Sequence, residues 1–164
     1  VSLLHGHWQW QPNQQHTKID MPDVSSTQQQ AQKIIAPHDW GREPTFLNCR
    51  AWQNFHPPLP HEKILVLGSG EFSWIPFLIA EKLEQQGAEV YYSSTTRSPI
   101  KQGHAVESIC SFKDNYGLNI NNYAYNVKHQ QFDRVLLVIE TAQDSVDPLL
   151  FEQIKNLEII SYES

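Results

Sequence analysis

Between Lys63 and Pro99 the spacing of apolar positions changes from continuous to helical and back again. Lys63-Ile-Leu-Val-Leu67 is apolar at every position after the lysine, as a parallel strand covered on both faces requires. Phe72 to Gln86 carries Ile75, Leu78, Ile79 and Leu83 at helical spacing, with Gly87 as the C-terminal stop. Pro76 falls near the first turn of that helix, where a missing N–H is tolerated. Glu89-Val-Tyr-Tyr-Ser93 reads as a second strand and Arg134-Val-Leu-Leu-Val-Ile-Glu140 as another buried one. Between them, His104 to Phe112 fits a short helix burying Val106, Ile109 and Cys110, and Tyr123 to Val127 a short strand or extended segment. Asp147-Pro148 combines an N-cap with proline at the first helical position, so a helix is predicted to about Lys155. Leu157-Glu-Ile-Ile-Ser-Tyr162 closes the series as a strand. Strands alternating with helices predict an α/β fold, a Rossmann-like and mostly parallel sheet flanked by helices with right-handed crossovers.

The chain before Lys63 has another character. His5-Gly-His-Trp-Gln-Trp-Gln11 alternates polar and aromatic groups, as a short strand or extended arm does. Gln28-Gln-Gln-Ala-Gln32 reads as loop, Ala36-Pro-His-Asp-Trp-Gly-Arg42 as a turn, and Thr45 to Phe55 as a short helix with Thr45 as N-cap. His56-Pro-Pro-Leu-Pro60 forces extended backbone and ends it. The expectation is an irregular N-terminal arm or linker over residues 1–35 and a Rossmann-like domain over 36–164. The start at Val1, with Met21 the single methionine, predicts a piece whose N-terminal part has been cut away.

Composition narrows the function classes. A chain of 164 residues with 40% apolar and 18% charged residues is globular and sized for one ordinary domain. A net charge of −6 without any Lys/Arg run lacks the footprint of a nucleic-acid binder and fits a local anion site better. No apolar stretch, including Ile75 to Ala80, is long enough to span a bilayer, and no signal peptide opens the chain, so a cytoplasmic location is expected without a membrane partner. Cys49 and Cys110 lack CxxC spacing and read as buried thiols. His5 and His7 would share a strand face, but no ligand cluster accompanies them, so no metal site is expected. Nor is there a nucleophile elbow or a Walker lysine.

The candidate chemistry lies where the strands end. Gly68-Ser69-Gly70-Glu71-Phe72-Ser73 resembles a dinucleotide fingerprint, yet Ser73 stands at its third glycine. Ser93, Ser94 and Thr95 occupy the place of the usual ribose-binding acid, although Arg97 is suited to a 2′-phosphate, which keeps an NADP-binding, reductase-like reading as an alternative. Apolar Leu67 does not fit the acidic strand end before a methyltransferase glycine loop. The carboxylate of Glu71 repels a bare phosphate unless a metal or a ribose hydroxyl intervenes. Thr95-Thr96-Arg97-Ser98-Pro99 is more specific, because hydroxyls flanking a guanidinium encircle a phosphate with bidentate bonds. The site is expected beyond the carboxyl ends of the strands Lys63–Leu67 and Glu89–Ser93.

Thr95-Thr-Arg-Ser-Pro-Ile100, the preceding glycine-turn unit, Asp114-Asn-Tyr-Gly117 and Asn122-Tyr-Ala-Tyr-Asn-Val127 together resemble the TRSP domain family, which is named for this tetrapeptide. The resemblance covers about residues 35 to 164. It implies a domain C-terminal to a phosphoribosyltransferase-like domain, in bacterial operons associated with tellurium-resistance stress systems, with a role in making a nucleoside-like metabolite. The missing N-terminal part is then a phosphoribosyltransferase, the partner within the same polypeptide. By matching motif the implicated positions are Thr96, Arg97, Ser98 and Pro99, then Asp114, Asn115, Tyr116 and Gly117, then Tyr125 and Asn126.

On physical grounds Asp114 suits a ribose hydroxyl or Mg²⁺, a candidate cofactor, and Tyr116 suits stacking on a base. Asp-Asn-Tyr-Gly is also a good turn sequence with Gly117 supplying positive φ, and Tyr125-Asn126 fits an extended segment with a polar cap. In the leading expectation Thr96, Arg97 and Ser98, with Thr95, grip the phosphate of a phosphorylated ribose or nucleotide-like metabolite. Gly68, Ser69 and Gly70 then hold a second anion or ribose, and Asp114 or Glu71 stands as the candidate catalytic group. The alternative from another class is a non-catalytic binding or assembly module that orients the transferase, with the aromatic arm as its docking surface.

Overall fold

The structure, a computed structural model, describes residues 5–9, 11, 56–127 and 132–162. Its elements are β1 (Lys63–Gly68), α1 (Trp74–Gln85), β2 (Glu89–Ser94), β3 (Ile109–Lys113), β4 (Asn121–Tyr125), β5 (Arg134–Ile139), a 3-10 turn (Gln143–Ser145), α2 (Leu149–Gln153) and β6 (Leu157–Ser161). The sequence readings over Gln28–Gln32, Ala36–Arg42 and Thr45–Phe55, and Cys49, lie outside the described residues. His5–Gln9 is exposed and in neither helix nor strand.

Strands β2, β1, β5 and β6 lie side by side in that order, all parallel, so the fold is α/β with a mostly parallel sheet. From β1 the chain moves outward to β2, and from β5 it moves outward to β6 on the other side. The strand order therefore reverses between β1 and β5, which in open α/β sheets opens a crevice at the carboxyl ends. The continuous apolar runs of β1 and β5 are explained by two cores. Ile64, Val66, Leu136 and Val138 meet Ile75, Ile79 and Leu83 of α1 on one face. Leu65, Leu67, Val135 and Leu137 meet Cys110, Phe112, Ala124, Leu150 and Ile154 on the other.

Helix α1 begins after Ser73 with Pro76 in its first turn, and it ends in a Schellman closure. There Gly87, at φ 97°, donates to the Glu84 carbonyl and Ala88 donates to the Leu83 carbonyl. Among the described residues no helix is long and apolar enough to cross a membrane.

The expected helix over His104 to Phe112 is not formed. Gly103 and Val106 close a tight turn instead, with Gly103 at φ 141° and His104 at φ 52°, conformations no helix contains. Ile109–Lys113 then extends as β3 and pairs antiparallel with β4. The helical spacing of Val106, Ile109 and Cys110 is outweighed by the partner strand eight or more residues downstream, which buries Cys110 and Phe112 with Ala124. This hairpin covers the face where a second flanking helix was expected. The short helix α2 starts at Leu149 with Pro148 as its cap residue. Asp147 still serves the helix start, for its Oδ1 accepts the Leu149 N–H at 3.1 Å while Oδ2 accepts the Lys113 N–H at 2.7 Å, tying α2 to β3.

Candidate functional site at the carboxyl edge of the sheet

The glycine turn after β1 folds back so tightly that a side chain at Gly68 does not fit. A Cβ there would lie 2.6 Å from the Phe72 carbonyl oxygen. Ser69 accepts the Phe72 N–H, and Gly70, at φ 60°, donates its N–H to Thr95 Oγ1 at 2.9 Å. Thr95 in turn donates its N–H to the Gly68 carbonyl, so the ends of β1 and β2 are stitched together by the first residue of the Thr-Thr-Arg-Ser-Pro segment. Glu71 is exposed on the same turn.

Beyond Thr95 the loop is held by tyrosines of β4. Thr96 exchanges both backbone hydrogen bonds with Tyr123, and its Oγ1 accepts the Ser98 N–H at 3.2 Å. Tyr125 donates its hydroxyl to the Ser98 carbonyl at 2.6 Å and accepts the Ile100 N–H at 2.7 Å. Its ring stacks on Tyr123 at 6.2 Å. Arg97, at the apex, is exposed and forms no ion pair with any described residue.

The turn that joins β3 to β4 reaches back over the carboxyl ends of β1 and β5. Asp114 is 1% exposed and shapes this turn: Oδ1 accepts the Ile120 N–H at 2.8 Å and Oδ2 the Leu118 N–H at 3.2 Å. Gly117, at φ 72°, supplies the left-handed residue the turn needs. Asn115 then spans the two central strands. Its Oδ1 accepts from Ser69 Oγ at 2.5 Å and its Nδ2 donates to Thr141 Oγ1 at 2.7 Å. Thr141 Oγ1 lies 2.8 Å from Ser145 Oγ, which donates to the Ala142 carbonyl at 2.6 Å. Since Ser145 spends its hydrogen there, Thr141 donates to Ser145. The result is a one-way chain, Ser69 to Asn115 to Thr141 to Ser145, with all four residues buried. Ser161, at the end of β6, adds a 2.6 Å bond to the Thr141 carbonyl.

Above this floor Tyr116 donates its hydroxyl to Glu140 Oε1 at 2.8 Å. Burial is the main reason its phenol is held far above the usual range. The Glu140 carboxylate raises it further by hydrogen bond and charge, while Ser69 and the Arg97 guanidinium oppose. Asn115 and Tyr116 thus join the β3–β4 turn to the glycine turn and to the residues that follow β5.

Of the residues expected from sequence, Gly68, Ser69, Gly70, Thr95, Thr96, Arg97, Ser98, Asn115, Tyr116 and Tyr125 thus belong to one connected edge. Asp114 has both carboxylate oxygens bonded within its own turn. Asn126 stands at the opposite end of the hairpin, where at φ 59° its Oδ1 accepts the Glu107 N–H at 2.7 Å and its Nδ2 donates to the Ala105 carbonyl at 2.8 Å. Sequence reasoning missed Glu140, Thr141 and Ser145. A signal was present, since Glu140-Thr141 directly follows a buried parallel strand, where ligands of such sheets bind. Among the described residues no three His, Cys, Asp or Glu side chains gather as metal ligands.

A groove lies at the other, amino-terminal edge. This groove of about 680 Å³ is lined by His56, Glu62, Asp133, Arg134, Lys155 and Glu158, among others. Arg134 is buried there, with Nε 3.3 Å from Glu62, and its side chain donates to the His56 carbonyl.

No curated protein and no solved structure matches the chain. A family model does, over residues 48–154, and it carries the description "TRSP domain C terminus to PRTase_2". That span takes in the glycine turn, the Arg97 loop, the β3–β4 turn and Glu140, and it covers more than half of the chain. The chain belongs to the TRSP domain family, a domain described as lying C-terminal to a phosphoribosyltransferase-type domain.

Proposed function

We propose that the crevice at the carboxyl ends of β1, β2 and β5 binds a phosphorylated ribose or nucleotide-like metabolite. The domain would handle it beside the phosphoribosyltransferase domain of the same polypeptide, in a cytoplasmic nucleoside-like pathway of the stress and tellurium-resistance kind that the resemblance implies. The observation that carries this reading is Arg97. A guanidinium without an ion pair among the described residues stands on a loop pinned by Tyr125, at the carboxyl end of β2. An exposed guanidinium on a held loop offers bidentate bonds to a phosphate, with Thr96 and Ser98 beside it. Tyr116 offers its ring face, and the Gly68–Gly70 turn lets a ligand approach the backbone.

A second reading, the non-catalytic assembly module, has its own support. Trp74 stacks on Phe77 at 5.7 Å, and Phe77 meets Tyr92 edge-on at 5.8 Å, with Phe77 and Tyr92 both exposed. Clustered exposed aromatics suit a docking face.

Calorimetric titration with phosphoribosyl pyrophosphate, pyrophosphate, ribonucleotides and NADP, with and without Mg²⁺, separates these readings. The first expects saturable binding of a phosphorylated ribose that weakens at least about tenfold in Arg97→Ala, the loss of one charge-assisted contact. Parent and variant alike binding none of these compounds would leave the assembly module as the better account.

A further inference from the structure

We propose that Glu140 is the group that recognises the ligand's sugar hydroxyls, a role resting on the reading of the Arg97 loop as a phosphate site. In dinucleotide-binding sheets a carboxylate at the end of the second strand holds the ribose, and here Ser93, Ser94 and Thr95 stand in that place. Asp114 is buried with both oxygens bonded to N–H groups of its own turn. Glu140 differs from both. It follows β5 directly, on the β5 side of the crevice, and is half-buried. Its Oε1 is held by the Tyr116 hydroxyl at 2.8 Å, while its Oε2 makes no hydrogen bond with any described residue.

The relation between Glu140 and Arg97 sharpens the assignment. Glu140 is held by the Tyr116 hydroxyl and Arg97 follows β2, and the two opposite charges form no ion pair with each other. The Arg97 guanidinium and one carboxylate oxygen of Glu140 thus both keep bonding capacity at the carboxyl edge of the sheet. A ligand with negative charge at one end and hydroxyl donors at the other satisfies both at once. The same arrangement fixes the direction of binding. The carboxylate repels phosphate and accepts from hydroxyls, so phosphate lies toward Arg97 and the sugar diol toward Glu140. Tyr116 is then a positioning residue that orients the carboxylate.

The test compares ribose 5-phosphate, 2-deoxyribose 5-phosphate and pyrophosphate by calorimetry on the full chain, on Glu140→Gln and on Tyr116→Phe, with thermal melting as the check of folding. The parent is expected to prefer ribose 5-phosphate over its deoxy analogue by about tenfold, the worth of a hydrogen bond to a charged group. In Glu140→Gln that preference falls toward unity while pyrophosphate binding is kept or strengthened. Tyr116→Phe, which leaves the carboxylate charged but no longer held, also lowers the preference. A tenfold preference that persists in folded Glu140→Gln overturns the assignment and leaves the phosphate site standing. Pyrophosphate and ribose 5-phosphate both failing to bind the parent overturns the phosphate site and this assignment with it.

Discussion

Asn115 Nδ2 lies 2.7 Å from Thr141 Oγ1, a buried bond between the β3–β4 turn and the residue two positions beyond the end of β5. With Ser69 bonded to the other side of the same amide, Asn115 fixes the turn across both central strands. Tyr116 follows it directly, so the placing of the Tyr116 hydroxyl against Glu140 depends on this amide.

Asn115→Ala is therefore expected to destabilise the fold by about 2 kcal/mol, because the buried Ser69 hydroxyl loses its acceptor and Thr141 a donor. Denaturant unfolding reads the change directly. A loss below about 0.5 kcal/mol, the range of ordinary surface substitutions, would show that the turn is not anchored through this residue.

Two glycines of one turn are expected to respond differently. Gly68→Ala drives a Cβ to 2.6 Å from a backbone oxygen and costs about 2 kcal/mol, within the range for overpacking. Gly70→Ala meets open space and carries only the left-handed backbone cost, about 1 kcal/mol. Thermal melting of the two variants side by side tests the order, and equal losses would contradict it.

Tyr125→Phe removes the hydroxyl that holds both Ser98 and Ile100. The loop is expected to open more often while the hairpin stays paired through its backbone. Hydrogen exchange at the Ile100 amide should quicken on the order of fivefold, the equivalent of about 1 kcal/mol. Unchanged exchange at Ile100 would mean that another contact holds the loop.

Alkaline pH is expected to weaken the fold through Tyr116. Its native phenol titrates above the ordinary tyrosine value of 10.0, chiefly through burial and then through Glu140. Above that value the unfolded chain releases a proton that the native one keeps, so unfolding is favoured as pH rises. The contribution is complete below pH 10.0 and is lost as pH climbs through the native titration. Tyr92, raised by burial, and Tyr91, raised by Glu89, add to the same trend. Stability measured against pH should fall less steeply above pH 10 in Tyr116→Phe than in the parent, and identical slopes would refute the assignment.

The frame of this domain is legible because its rules are local. Ile64 to Leu67 and Val135 to Ile139 are apolar without a break because α1 covers one face and the hairpin the other. Gly87 marks the end of α1 because a Schellman closure needs its positive φ. The hairpin is another matter. Val106, Ile109 and Cys110 satisfy a helical period, and the choice of strand is made by Ala124 and Tyr125, across the chain.

The site divides in the same way. Arg97, Asn115 and Tyr116 belong to the motifs that the sequence singles out, and the fold draws them to one edge. Their partners come from far along the chain: Ser69 is 46 residues from Asn115, and Glu140 is 24 from Tyr116. A single glutamate after an apolar run is marked only by its place at the end of a buried parallel strand. Asp114 and Asn126, equally prominent in sequence, are taken up by the backbone of their own turns. Side chains of that kind serve turns and sites alike, and only tertiary contacts tell the two uses apart.

The most direct measurement of the central claim is amide chemical-shift mapping of the labelled chain during titration with ribose 5-phosphate. The account predicts saturable shifts confined to Ser69 and Gly70, Thr96 to Ser98, Tyr116 and Thr141, and their disappearance in Arg97→Ala. Shifts centred instead on Arg134, Lys155 and Asn156, in the groove at the opposite edge of the sheet, or no shifts at all, would contradict it.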